Sequence, residues 1–206
     1  MSSDRPSGVP SPPPEADDAE PSLAAVVAEH GLPLLDALEQ HLPGARRHAD
    51  GTAAYALATA AELGFERDRA ESIREAARVH DVGLVYVPAA VLARPAGALS
   101  DEERSMLDSH LEAAYRLCRG SGIPDEVCGW ILRTRERYDG RGPERLSGMD
   151  VPIEARIIRT ACAADLLLAG AGGEGTVDAL RAAEGRELDP VVTDAVVAVV
   201  ERATAT

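Results

Sequence analysis

The 206-residue sequence predicts an all-α fold, a bundle of about eight helices behind a disordered N-terminal tail. Three observations point there. Apolar residues recur at helical intervals, and no segment shows the period of two that a half-buried strand requires. The apolar fraction, 45%, is nearly all Ala, Val and Leu, with one Trp, one Phe and four Tyr, which builds a core of small side chains on closely approaching helices. Helix starts and stops are also written along the chain, as Ser100-x-x-Glu103 and as glycines at 64 and 170.

Residues 1–21, "MSSDRPSGVPSPPPEADDAEP", carry only Met1 and Val9 as apolar residues beyond Ala. Such a segment cannot bury enough surface to offset its ordering entropy and is expected to be disordered. Residues 22–43 read as an N-terminal helical extension, with Leu23, Val26, Val27, Leu34, Leu35 and Leu38 at helical spacing and a break at Gly31-Leu32-Pro33. The main domain is expected over 44–206. Its first helix runs from Ala45 to Phe65 and stops at Gly64, and a second ends near Gly83. The Pro- and Gly-punctuated stretch "VPAAVLARPAGALS" is a loop, and the capping box at Ser100 opens a helix to about Arg119. Pro124 to Arg137 is a further helix, followed by the turn-rich "YDGRGPERLSGMDVP". "IEARIIRTACAADLLLAG", the short "TVDALRAAEG" and "LDPVVTDAVVAVVERATA" complete the bundle.

A formal net charge of −14 argues against DNA or an anionic membrane as a partner, since both would be repelled. A phosphorylated ligand stays open, because arginines or a metal can reverse the field inside a cleft. There is no run of about 18 apolar residues and no basic-then-apolar leader, so the chain reads as cytoplasmic. Cys118, Cys128 and Cys162 are odd in number and lack CxxC spacing, which argues against a disulfide framework; Cys118 and Cys128 read as small buried side chains. Trp130, beside Ile131 and Leu132, reads as core.

The chemistry-bearing residues are few. Of five histidines, His80 is followed directly by Asp81, and imidazole with carboxylate is the donor pair expected for Zn, Fe or Mn. Ligands on facing helices of a bundle can converge on one centre. Spacing alone leaves a second reading open, in which the histidines are exposed or cap helices.

The ordered blocks "RRHADGTAAYALATAAELG", "AARVHDVGLVYVPAAVLARPAGALSDEE", "SMLDSHLEAAYRL", "RERYDGRGP", "VPIEARIIRTACAADLLLAG" and "EGRELDPVV" resemble the HD-GYP family, from about residue 44 to the C-terminus. The family comprises metal-dependent phosphohydrolases of the HD superfamily, most often associated with hydrolysis of cyclic di-GMP. The resemblance implies metal ligands at His48, at the His80-Asp81 dyad and at His110, which follows "LSDEE", and a catalytic role for Asp81 if the site is active. Arg94 falls at a customary lysine, and "LDP" at 188–190 is similar to the closing block.

The departures from that pattern are specific. Leu84 replaces the lysine of HD-x-G-K, and the family's paired histidines fall on Thr134 and Arg135. The naming motif survives as Gly142-Pro143 without its tyrosine. The first aspartate of a later aD-x-x-D helix falls on Cys162, with the second kept as Asp165. A two-metal phosphodiesterase uses its metal pair to hold phosphoryl oxygens and acidify a water. Here one divalent metal (Zn, Mn or Fe) is expected on His48, His80 and Asp81, with Cys162 and His110 nearby, and no second metal. A thiolate at 162 would close the site and favour Zn. Arg135 and Arg137 become candidate phosphate-binding residues, Arg135 by pairing with Asp81 or a ligand phosphate, since a guanidinium fork suits phosphate; surface pairing with neighbours such as Glu136 is the other reading. Three functions follow: a degenerate HD-GYP domain, impaired in cyclic dinucleotide hydrolysis, that signals by binding a nucleotide or a protein; a divergent one-metal phosphohydrolase; or a structural interaction module.

Overall fold

The computed structural model describes residues 23–170 and 173–205; the tail expected at 1–21 lies outside them. The described residues are helical, with no β-strand and only an isolated bridge between Glu184 and Leu188. The α-helices in order are α1 (Leu23–Val26), α2 (Leu32–His41), α3 (Ala45–Glu62), α4 (Arg67–Val79), α5 (Ala89–Leu92), α6 (Asp101–Asp108), α7 (His110–Gly120), α8 (Asp125–Leu132), α9 (Ile153–Ala169), α10 (Thr176–Ala183) and α11 (Pro190–Thr204). Two of these are single turns, so the all-α bundle holds, with a few more breaks than the apolar pattern foretold.

α3 is the central element because its buried face is nearly all alanine. Ala49, Ala53, Ala56 and Ala60 leave almost no bulk between it and α4 on one side and α9 on the other. Ile73, Ala76, Ala77 and Val79 of α4 and Ala155, Ile157, Ile158, Ala161 and Ala164 of α9 complete this core. α11 closes it through Val192, Val196, Val197 and Val200. Its start is fixed by Asp189, whose carboxylate accepts the Val191 and Val192 N–H groups, by Pro190 in the first helical position, and by an ion pair between Asp189 and Arg156 of α9. The closing block is thus a clamp between two helices.

The Ser100 capping box forms as expected: Glu103 N–H donates to Ser100 Oγ at 3.2 Å, and Ser100 N–H to the Glu103 carboxylate at 2.8 Å. The helix it opens does not run unbroken to Arg119, because Ser109 interrupts it with its hydroxyl donating back to Met106 O at 2.7 Å. His110 therefore begins α7. The break expected at Gly31-Leu32-Pro33 is instead a π-helical turn, Val27–Gly31, leading into α2 with Pro33 in its first turn, where a missing N–H costs nothing. The helix expected to reach Arg137 ends at Leu132. Beyond it, buried Glu136 accepts the N–H groups of Glu144 and Leu146 at 2.6 and 3.1 Å, so the "DGRGPERL" loop folds around a carboxylate. A Cβ on Gly142 would lie 2.7 Å from Glu136 Cα, so only glycine permits this wrap. Trp130 is core, with Arg69 stacked on its ring at 4.3 Å. All three cysteines are free, and Cys118 and Cys128 are buried.

Candidate metal centre

His48 sits one turn into α3, His80 caps the C-terminus of α4, and Asp81 leads into a 3-10 turn, Val82–Tyr86. His110 opens α7, and Cys162 and Asp165 share one face of α9 at i, i+3. The bundle brings these together. His48 Nε2 lies 3.6 Å from Asp81 Oδ2, His80 Nε2 3.2 Å and His110 Nε2 3.5 Å from Asp81 Oδ1, and Cys162 Sγ 3.5 Å from His48 Nε2. The donor atoms of His48, His80 and Cys162 lie within 4.8 Å of one another.

Each imidazole is aimed by its other nitrogen. His80 Nδ1 is held by Ala77 O at 2.7 Å, His110 Nδ1 by Leu107 O, and His48 Nδ1 by the Asp165 carboxylate at 2.6 Å. Fixing Nδ1–H on a carbonyl or carboxylate leaves the Nε2 lone pair free to bind. His80 Nε2 is buried and lacks a hydrogen bond, since its approach to Asp81 is not aligned for one. A buried nitrogen without a partner, inside converging imidazole, carboxylate and thiol donors, fits a divalent metal ion.

Two glycines make the geometry reachable. A Cβ on Gly83 would overlap the His110 carbonyl oxygen and sit 2.6 Å from Ala114 N, so the turn after the dyad lies against the backbone of α7. A Cβ on Gly51 would overlap Asp165 Oδ1 and lie 2.8 Å from its Cγ, so a gap in α3 admits the carboxylate that aims His48.

Electrostatics follow from packing. Burial alone would push the Asp81 carboxyl up, but the three imidazoles, His80 foremost, bring it far below the ordinary carboxylate range. Burial lowers His80, and the neighbouring His48 and His110 add to that against the attraction of Asp81. Burial, then the Asp81 and Asp165 carboxylates, drive the Cys162 thiol strongly up, so it is protonated while no cation is present.

The centre opens on a cleft of about 350 Å³ lined by His80, Asp81, Leu84, His110, Thr134, Arg135 and Arg159, with an apolar wall from α9 and α10 that includes Leu167 and Leu180. A second cleft of about 510 Å³ lies on the other side of Asp81, against α2, and shares Asp81, Leu84 and Leu166 with the first. Arg135 lines the first cleft, yet its guanidinium pairs with Asp108 at 3.1 Å and not with Asp81. Arg137 does not line it: Asp139, at 2.8 Å, and Glu187, at 2.9 Å, take its guanidinium. Glu136, foreseen as a surface partner for these arginines, is buried in the loop. The cleft's other arginine is Arg159, one turn before Cys162 on the same face of α9, which donates to Thr134 O and Glu187 O at 3.3 and 3.1 Å. The i, i−3 spacing from Cys162 was its signal in the sequence.

Residues 33–191 match the HD domain family, and the chain belongs to it. The resemblance to HD-GYP proteins holds at the level of individual relatives. The chain is 37% identical over 145 residues to the cyclic di-GMP phosphodiesterase response regulator RpfG of Xanthomonas campestris, covering 66% of this chain and 38% of that protein. It is 30% identical over 170 residues to the 3'3'-cGAMP-specific phosphodiesterase 2 of Vibrio cholerae, covering 78% and 32%. The chain thus spans about a third of the length of these relatives. Among solved structures, Bd1817, an HDG"Y"P protein from Bdellovibrio bacteriovorus, has the same fold, with a TM-score of 0.65, 19% identity, and coverage of 76% of this chain and 52% of that one. No helix among the described residues is long and apolar enough to cross a membrane.

Proposed function

We propose that this chain is a one-metal HD domain, impaired in cyclic dinucleotide hydrolysis, that binds a nucleotide phosphate in signalling. The observation that carries this reading is the asymmetry of the centre. His48, His80 and Cys162 converge beside Asp81, with His110 against the same Asp81 oxygen as His80, while the positions of the family's paired histidines hold Thr134, whose hydroxyl donates to Ile131 O, and Arg135. Relatives that act on cyclic di-GMP and cGAMP supply the ligand class.

His48, His80 and Asp81 would hold the ion, which when bound would polarise a phosphoryl oxygen and acidify a water. Asp81 stays ionised among its imidazoles and bears the negative charge that attracts the cation. Arg135 and Arg159 line the same cleft and would hold phosphoryl oxygens through charge-assisted hydrogen bonds. Arg159 keeps its charge near neutral pH although burial, with Arg135 and Arg137, lowers it from the ordinary guanidinium value. Leu167 and Leu180 line the cleft and would face a base or ribose. Leu84 stands where a lysine would add a cation, which weakens the grip on a second phosphate.

Calorimetry of the metal-loaded chain against cyclic di-GMP, 3'3'-cGAMP and GMP tests this reading. The expected outcome is binding without efficient turnover, weakened by Arg135→Ala. Rapid hydrolysis that His80→Ala abolishes would establish the one-metal phosphohydrolase instead, the reading favoured by the open cleft over an intact dyad. No binding by any nucleotide would overturn both.

A further inference from the structure

We infer that Cys162 is a thiolate ligand of the metal and makes the centre selective for zinc. This rests on the one-metal reading and not on nucleotide binding. Two independent observations carry it. Cys162 Sγ stands 3.5 Å from His48 Nε2. A tetrahedral zinc with ordinary Zn–S and Zn–N bond lengths sets sulfur and nitrogen about 3.6 Å apart. The second is the buried Nε2 of His80, which makes no hydrogen bond and belongs to the same group of donors within 4.8 Å.

The hydrogen bonding agrees. With His48 Nδ1–H donated to Asp165, its Nε2 is a lone pair, and the Cys162 S–H is the donor that faces it. A metal ion entering between them would displace that one proton to solvent and take both lone pairs, so charge and atoms balance. Asp81, 3.6 Å from His48 Nε2 and 3.2 Å from His80 Nε2, is the adjacent carboxylate, beside that three-donor group. Two imidazoles, a thiolate and a carboxylate suit zinc, whereas manganese prefers oxygen-rich sets. The other two thiols do not compete: both are buried in the hydrophobic core, and neither belongs to that donor group.

The test is optical and needs no substrate. The metal-stripped full chain is titrated anaerobically with cobalt(II). The expected result is one equivalent bound, with an intense near-ultraviolet sulfur-to-cobalt charge-transfer band and visible bands of tetrahedral strength. Cys162→Ser should remove the near-ultraviolet band, and Cys162→Asp should keep binding without it while shifting the zinc-over-manganese preference towards manganese. One bound equivalent in the unaltered chain without the charge-transfer band overturns the thiolate and leaves the one-metal reading standing. No bound cobalt overturns both. Because the unaltered chain alone can give either result, a variant that fails to fold does not shelter the proposal.

Discussion

The two halves of the site differ in how their side chains are held. On the His48, His80, Cys162 side, every imidazole has its outer nitrogen fixed, and glycines bring the supporting groups within reach. On the Thr134, Arg135 side, the polar atoms serve the protein's own structure: Thr134 bonds Ile131 O, Arg135 pairs with Asp108, and buried Glu136 organises a loop. A binding centre is legible from the shell behind its donors as much as from the donors, and on the first side that shell is in place.

The largest effect is expected where the backbone itself is in contact. Gly83→Ala should cost about 3 kcal/mol or more in urea unfolding, because the added methyl meets main chain and not a movable side chain. Asp165→Asn should leave stability nearly unchanged but weaken metal affinity about 10- to 100-fold in a chelator competition, since His48 Nδ1 loses its carboxylate. The double substitution Thr134→His, Arg135→His adds imidazole donors to the second side. Metal content by elemental analysis should rise from one equivalent towards two, with a gain in phosphodiester turnover if the added donors align. The smallest effect concerns the loop. Arg137 foremost holds the Asp139 carboxyl at about 2, below its ordinary value, so this pairing stabilises the fold above the unfolded-state carboxyl value and is lost only as pH falls through about 2. Lowering pH from 7 to 4 should therefore leave the near-ultraviolet dichroism of Tyr138 unaltered.

The bundle was legible because its alanine-rich composition and the Ser100–Glu103 cap are local signals that act within one turn. The breaks at Ser109 and Leu132 were not, since each depends on where a hydroxyl or carboxylate turns once the helix is packed. The meeting of His48, His80 and His110 could be read only by resemblance, because residues about 30 positions apart share a centre through tertiary packing. Arg137 was misplaced for the same reason: Glu187, 50 positions away, takes half of its guanidinium. For Arg159 the mark in the sequence is indirect: it lies three residues before Cys162 on one helix face, so it faces the cleft only if Cys162 does.

The contact of Gly83 with α7 joins two loci that the chain separates. Because the peptide after the dyad rests on the backbone that begins the His110 helix, any side chain at position 83 would push the two histidine-bearing segments apart.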